Sequence, residues 1–152
     1  SDNSSFVISG IELKNRSWSN TTGLIQGVTT ITSSNEAKKD FNGFQNTQSI
    51  AEYTHASAAY ECTVTQFKNG QMGYLASVGE WMEIINNLDE INRCMSLIDG
   101  LDIDEGTTSY WTSTQYNYEK AWLVTYNGNE FYPNDERKGV SFYAIRVISQ
   151  LK

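Results

Sequence analysis

His55 is the one imidazole in this chain of 152 residues, and Cys62 and Cys94 are its two thiols. A structural zinc takes four nitrogen or sulfur ligands and a catalytic zinc usually three, supplied by closely spaced pairs. Two widely separated cysteines and an isolated histidine do not make such a set, so no zinc is expected. A Ser-His-Asp arrangement would have to use His55. That residue lies in Ile50-Ala-Glu-Tyr-Thr-His-Ala-Ser-Ala-Ala-Tyr60, whose composition is helical, and a packed or surface helix position is the plainer reading. No nucleophile has a partner base at a recognisable spacing, so the chain is not expected to be an enzyme. Neither G-x-x-x-x-G-K-[ST] nor G-x-G-x-x-G follows any strand-like run, and G-x-S-x-G is missing too.

The acidic loop Asp99-Gly-Leu-Asp-Ile-Asp-Glu-Gly106 invites comparison with a calcium loop. With Asp102 and Asp104 at loop positions one and three, the twelfth position, where a bidentate acid belongs, is Ser113. The loop therefore reads as a solvated acidic connector. Weak calcium binding by an irregular loop stays open, and otherwise no cofactor is expected. Cys62 and Cys94 allow one disulfide or none, because a bridge needs Cα atoms within about 7 Å. Two buried free thiols are the expectation.

These residues must be held by elements that the pattern announces. Two strand-like runs, Phe6–Leu13 and Leu24–Ile31, lie in a Ser-, Thr- and Asn-rich opening, and Ser33–Asp40 reads as a connector. Residues 47–99 read as helical. A capping box stands at Ser77-Val-Gly-Glu80, and behind it Trp81, Ile84, Ile85, Leu88, Ile91, Met95 and Ile98 recur in steps of three and four on one core-facing stripe. Asn86-Asn87 is a natural break into two helices, and Gly100 the stop. Residues 107–149 read as strands. Trp122, Val124 and Tyr126 alternate with Leu123 and Thr125, Asn127-Gly128 signals a hairpin, and Phe142–Ser149 reads as a central strand. Strands, then helices, then strands describe an α+β domain with helices against an antiparallel sheet.

Composition narrows the function classes. The chain is 39% hydrophobic, 12% aromatic and 19% charged, with a net charge of −7. That balance fits a folded domain and disfavours a partner held through phosphates, so no nucleic acid is expected. No apolar run is long enough to span a membrane as a helix. A start at Ser-Asp-Asn fits a trimmed chain that has lost an export signal. Tyr110–Tyr143 carries just over half of the aromatic side chains, interleaved with Thr, Asn, Gln, Glu, Lys and Arg. Tyrosine among small polar residues suits an adaptable binding surface. Strand propensity alone accounts for Trp111, Trp122, Tyr126 and Phe142. It accounts less well for Tyr116-Asn-Tyr-Glu-Lys120 and Phe131-Tyr-Pro-Asn-Asp-Glu-Arg137, which lie in or beside turns. From the residues alone, a binding surface and an ordinary exposed loop both remain open.

Several blocks in order carry a resemblance. Asp40-Phe-Asn-Gly-Phe-Gln-Asn-Thr-Gln-Ser-Ile50 and Asn69-Gly-Gln-Met-Gly-Tyr-Leu-Ala-Ser-Val-Gly-Glu80 come first. Tyr110-Trp-Thr-Ser-Thr-Gln-Tyr116, Ala121-Trp122, Asn127-Gly128 and Ile145-Arg146-Val147 follow. Together they resemble a group of surface and phage proteins of Bacteroides-type gut bacteria. That group is similar to the C-type-lectin-like domains that include diversity-generating-retroelement variable proteins and the legionella collagen-like-protein C-terminal domain. More remotely it is similar to the formylglycine-generating enzyme. The match runs from residue 40 to 149, so residues 40–152 are expected to form the C-type-lectin-like domain. Residues 1–39 would be its N-terminal strands or an attachment segment.

The resemblance implies a C-type lectin-like fold, two helices packed on antiparallel strands, with terminal strands and loops that present a ligand surface. Carried over position by position, that surface comprises Tyr116, Asn117, Tyr118, Glu119, Lys120, Thr125, Asn129, Phe131, Tyr132, Asn134, Asp135 and Arg137. Trp111, Trp122, Gly128 and Arg146 match scaffold positions. Glu119, Lys120, Glu130, Glu136 and Lys138 depart from what adenine mutagenesis of Asn codons yields, which points to an invariant cousin. Only Pro133-Asn134-Asp135 echoes the tripeptide of calcium-dependent lectins, and Cys62 and Cys94 fall outside the block that would hold a sulfatase-activating cysteine pair. The implied function is a non-enzymatic recognition domain on a phage tail or bacterial surface appendage, binding protein or glycan on another cell. The alternative is a structural or assembly subunit of the same fold, such as a capsid decoration, pilus or fimbrial subunit. Either way the expected setting is extracellular, on a virion or cell surface, with self-association or attachment to a fibre or pilus shaft and no membrane insertion.

Overall fold

The computed structural model describes residues 6–98, 100, 102–103 and 108–150. Among them the order is β1 (Phe6–Arg16), α1 (Ser34–Ala37), α2 (Gly43–Tyr53), α3 (Ala58–Thr63), β2 (Gly73–Leu75), α4 (Val78–Asn86) and α5 (Leu88–Leu97). β3 (Ser109–Gln115), β4 (Lys120–Tyr126), β5 (Phe131–Arg137) and β6 (Tyr143–Gln150) follow. The result is an α+β fold around a mixed six-stranded sheet ordered β1-β6-β3-β4-β5, with β2 also paired to β6. All named pairings are antiparallel except β3 with β6, which meet in parallel at Tyr110 and Ala144.

β6 is central, as its sequence predicts. Ala144 to Ser149 are all buried, and β1 runs along β6 through Phe6↔Gln150 and Leu13↔Ile145. Alternation along β4 sorts side chains to two cores. Ala121 and Leu123 join Trp18, Ile50, Cys62, Trp111, Ile145 and Val147 under α2 and α3. Val124 and Tyr126 join Trp81, Ile84, Tyr110, Phe131 and Ile148 under α4 and α5. The helices therefore cover both faces of the sheet and not one, because period-2 strands buried on each face need a partner on each.

The chain's four tryptophans each donate their indole N–H to a main-chain carbonyl, as buried indoles require. Trp18 bonds Thr112, Trp81 bonds Trp111, Trp111 bonds Arg16 and Trp122 bonds Ile31. Three of the four thereby tie β3 or β4 to the N-terminal 31 residues.

The local signals hold at α4. Ser77 accepts from the Glu80 amide and Glu80 accepts from the Ser77 amide, a complete capping box. Asn87 ends α4 and begins α5, and its side-chain amide donates to the Glu83 carbonyl at 2.9 Å. In the β4–β5 hairpin, Asn127 Oδ1 accepts from the amides of Asn129 and Glu130, and Gly128 sits at φ 93°.

Other expectations change. Leu24–Ile31 is not a strand. It is an irregular segment with one bridge, Thr30 to Gln115, because Gly27 turns at φ 86° and side chains take its amides. Ile25 N–H bonds Gln115 Oε1 and Thr29 N–H bonds Asn46 Oδ1. Ser33–Asp40 holds a helical turn, α1, capped by Ser33. His55 lies between α2 and α3, exposed and stacked on Tyr60, because the Ser57 hydroxyl caps a fresh helix start. Cys62 is buried but Cys94 is exposed on α5, and both thiols are free. Ile98 is exposed, since α5 ends at Leu97. The acidic loop 99–106 lies largely outside the described residues.

Pro133, the single proline, stands on β5 at the end of the strand order. Main-chain bonds from Asn127 to Glu130 and from Lys138 to Glu119 fix the hairpin's parity. Even-numbered β5 residues bond inward to β4, and odd-numbered ones face outward. Pro133 is therefore an outward position, where its missing N–H costs the ladder nothing and denies a donor to any incoming strand.

Candidate functional site

A buried polar hub sets the frame beneath the surface. Asp40 Oδ2 accepts from Thr114 Oγ1 at 2.7 Å and Asn46 Nδ2 at 3.0 Å, while Oδ1 accepts from the Asn42 amide at 2.9 Å. The Asp40 carbonyl accepts from the Gly79 amide and the Ser77 hydroxyl. The Asp40 and Ser77-Val-Gly-Glu80 blocks thus meet each other. A Cβ on Gly43 would stand 2.0 Å from Glu80 Oε1, and one on Gly79 would stand 2.4 Å from the Asp40 carbonyl oxygen, so both glycines are fixed by close approach. Burial pushes the Glu80 carboxyl up to about 7, against the lowering effect of its Ser77 bonds and with a further push from Asp40.

Just beyond Thr114, β3 ends in the turn 116–119. Asn117 Oδ1 accepts from the amides of Glu119 and Lys120, both at 2.8 Å, and so shapes that turn. The Tyr118 carbonyl accepts from the Gly23 amide at 2.6 Å. That bond draws the N-terminal loop against the turn. Asn20, Thr21 and Thr22 from the loop, Glu119 from the turn, and Arg137, Gly139 and Val140 after β5 enclose a cleft of about 360 Å³. Arg137 Nε lies 3.7 Å from Glu119 Oε1. Val140 in its lining is 68% exposed, and Tyr118, next to Glu119 in the turn, is 60% exposed.

Each expected ligand residue can be placed in this frame. The β4–β5 register sets Lys120, Trp122, Val124 and Tyr126 opposite Arg137, Asp135, Pro133 and Phe131 on one face, with Thr125 and Leu123 opposite Tyr132 and Asn134 on the other. The twelve residues therefore do not form one surface. Glu119 and Arg137 line the cleft, and Tyr118 stands beside it. Lys120 bonds Asp135 at 2.9 Å, which raises its pKa, and lies 5.8 Å from the centroid of Tyr116. Tyr116 is half-buried, edge-on to Trp122 at 5.2 Å. Thr125 bonds Ser109, and Asn134 caps the Asp135 amide. Tyr132 remains 39% exposed. Phe131 is buried in the core against Tyr126 and Tyr110, a correction to its expected place in the ligand surface. Asn129 lines a separate groove of about 590 Å³ between the hairpin tip and the α4–α5 junction.

A likeness to a solved fold covers nearly all of this frame. The chain is similar to a fimbrial protein from Bacteroides ovatus, with a TM-score of 0.67 and 18% identity. The match covers 96% of this chain and 35% of that one, so this chain spans about a third of its neighbour's length. No protein-family model and no curated protein matches the chain.

Sequence reasoning missed Asn20, Thr21, Thr22 and Val140. Ser-Asn-Thr-Thr-Gly at 19–23 is the kind of small polar run that marks a loop. Its place beside Tyr118 depends on long-range bonds, between Gly23 and Tyr118 and between Lys138 and both Ser19 and Gly23, that no local pattern encodes.

Proposed function

We propose that this chain is a non-enzymatic domain of a bacterial surface appendage, a structural or assembly unit of fimbrial type built on a C-type lectin-like frame. The observation that carries the reading is the fold likeness to a fimbrial protein across 96% of the chain. Pro133 on the outer edge of β5 argues that neighbours join through side chains at the cleft rim and not by strand addition along that edge. Buried titratable groups such as Asp40, Glu80 and Arg146 are tied into the scaffold, which fits a role in binding and assembly.

A second reading is favoured by one feature, the solvent-facing ring of Tyr118 beside a cleft of both donors and acceptors. Such a site suits recognition of a protein or glycan on another cell, with the domain placed at an appendage tip. Immunogold electron microscopy of cells that produce the chain separates the two. Label repeating along filaments supports assembly, and label confined to filament ends supports recognition. Label that never coincides with a filament contradicts both.

A further inference from the structure

Lys138 is the odd group in this molecule. Its side chain is fully buried. Among the described residues no carboxylate reaches it within ion-pairing distance. Its ammonium donates to the Gly23 carbonyl at 2.8 Å and to Gln115 Oε1, and lies 4.8 Å from the centroid of Trp18. Gln115 is itself locked with its oxygen toward the lysine. Its Nε2 donates to the Ile25 carbonyl and to Thr30 Oγ1, and its Oε1 also accepts from the Ile25 amide. The Lys138 main chain completes the junction, accepting from the Trp18 and Ser19 amides and donating to the Glu119 carbonyl. A desolvated cation with only neutral acceptors and a ring around it is an expensive arrangement. What it joins is the loop 18–23, the end of β3 and the turn that carries Tyr118.

We propose that Lys138 is the positioning residue of the cleft, a cationic clasp that holds loop 20–23 against the 116–119 turn and so sets the shape of the surface presented around Tyr118. The clasp rests on the reading of that cleft as a contact surface only for its consequence, not for its geometry. Burial lowers the Lys138 ammonium to about 8, so mildly alkaline solution weakens the clasp. The charged groups on the adjoining turn and strands are the Glu119–Arg137 and Lys120–Asp135 pairs, and among the described residues neither pair forms an ion pair with the ammonium. Charge-assisted bonds are roughly twice as strong as neutral ones, so loss of the charge should open the loop about tenfold more often.

Carbon-detected NMR of the whole chain tests this between about pH 6.5 and about pH 10. Gly23 and Trp18 should shift in one step with the Lys138 side chain in the native protein. The step should vanish in Lys138→Arg, which stays charged. At neutral pH the Gly23 amide should lose about tenfold in exchange protection in Lys138→Met and keep it in Lys138→Arg, while core amides such as Ile148 hold theirs. Gly23 shifts that do not follow Lys138 in the native protein overturn the proposal, even if Lys138→Met fails to fold. So does undiminished Gly23 protection in a folded Lys138→Met. If the loop responds as stated while Tyr118→Ala and Thr22→Ala leave appendage assembly and binding untouched, the clasp stands and the contact-surface reading falls.

Discussion

Thr114 Oγ1 donates to Asp40 Oδ2 at 2.7 Å, joining residues 74 positions apart. The bond ties the start of the α2 block to the penultimate residue of β3, beneath the turn that carries Tyr118. Because Asp40 also receives Asn46 and the Asn42 amide, its removal strands three donors, two of them fully buried. Asp40→Ala is therefore predicted to cost at least about 3 kcal/mol in urea unfolding, and Thr114→Val about 1–2 kcal/mol.

Glu80 gives a pH dependence of fixed sign. Its carboxyl is raised from 4.5 to about 7 in the folded chain, so the folded state binds more protons than the unfolded one between those values. Stability should fall as pH rises through that window, by up to about 3 kcal/mol, and level off on either side. Glu80→Gln keeps an oxygen for the Ser77 amide and should flatten the slope. Denaturant midpoints measured across the window check this, and a native profile that rises instead would refute it.

Arg146 and Glu12 form an ion pair at 2.9 Å with both side chains almost wholly buried. The Tyr110 hydroxyl donates to the same Glu12 oxygen at 2.6 Å, and Arg146 also reaches the Ser9 and Asp102 carbonyls. Removing one charge leaves the other buried, so Glu12→Ala is predicted to lose about 3–5 kcal/mol. Glu12→Leu combined with Arg146→Met should lose clearly less than Glu12→Ala, read by the same unfolding curves.

The tyrosines divide by environment. Tyr118→Ala and Tyr132→Ala should each shift stability by less than about 1 kcal/mol, because their rings face solvent. Tyr116→Ala removes the edge contact to Trp122 and the ring beneath Lys120, and should cost about 2 kcal/mol. Calorimetry of the three variants side by side makes the comparison.

Much of the frame was legible because its signals are local. Ser77-Val-Gly-Glu80 caps α4 through atoms three residues apart, Asn127-Gly128 closes a hairpin within four residues, and the alternation of Ala121 and Leu123 with Val124 and Tyr126 sorts β4 between two cores. What failed needed long-range information. Leu24–Ile31 has strand composition, yet Gln115 and Asn46 take its amides. The aromatic density of 110–143 is real, but the face on which each ring stands is set by the β4–β5 register. That register turns Phe131 inward and divides the expected surface into two. Three of the seven residues that line the cleft are Asn20, Thr21 and Thr22, which the turn at Tyr118 draws in from the other end of the chain.

If neighbours meet the chain at the Tyr118 rim, as proposed, that rim should lose thiol accessibility on assembly. Cys62 is buried and silent, while Cys94 on α5 is exposed and serves as the internal reference. In a Tyr118→Cys variant, the rate of maleimide labelling at position 118 relative to Cys94 would be measured in the isolated chain and again in assembled appendages. Ready labelling at 118 is expected in the isolated chain and at least about tenfold protection on assembly, with Cys94 little changed. Equal labelling at 118 in both states, or protection at Cys94 instead, would contradict it.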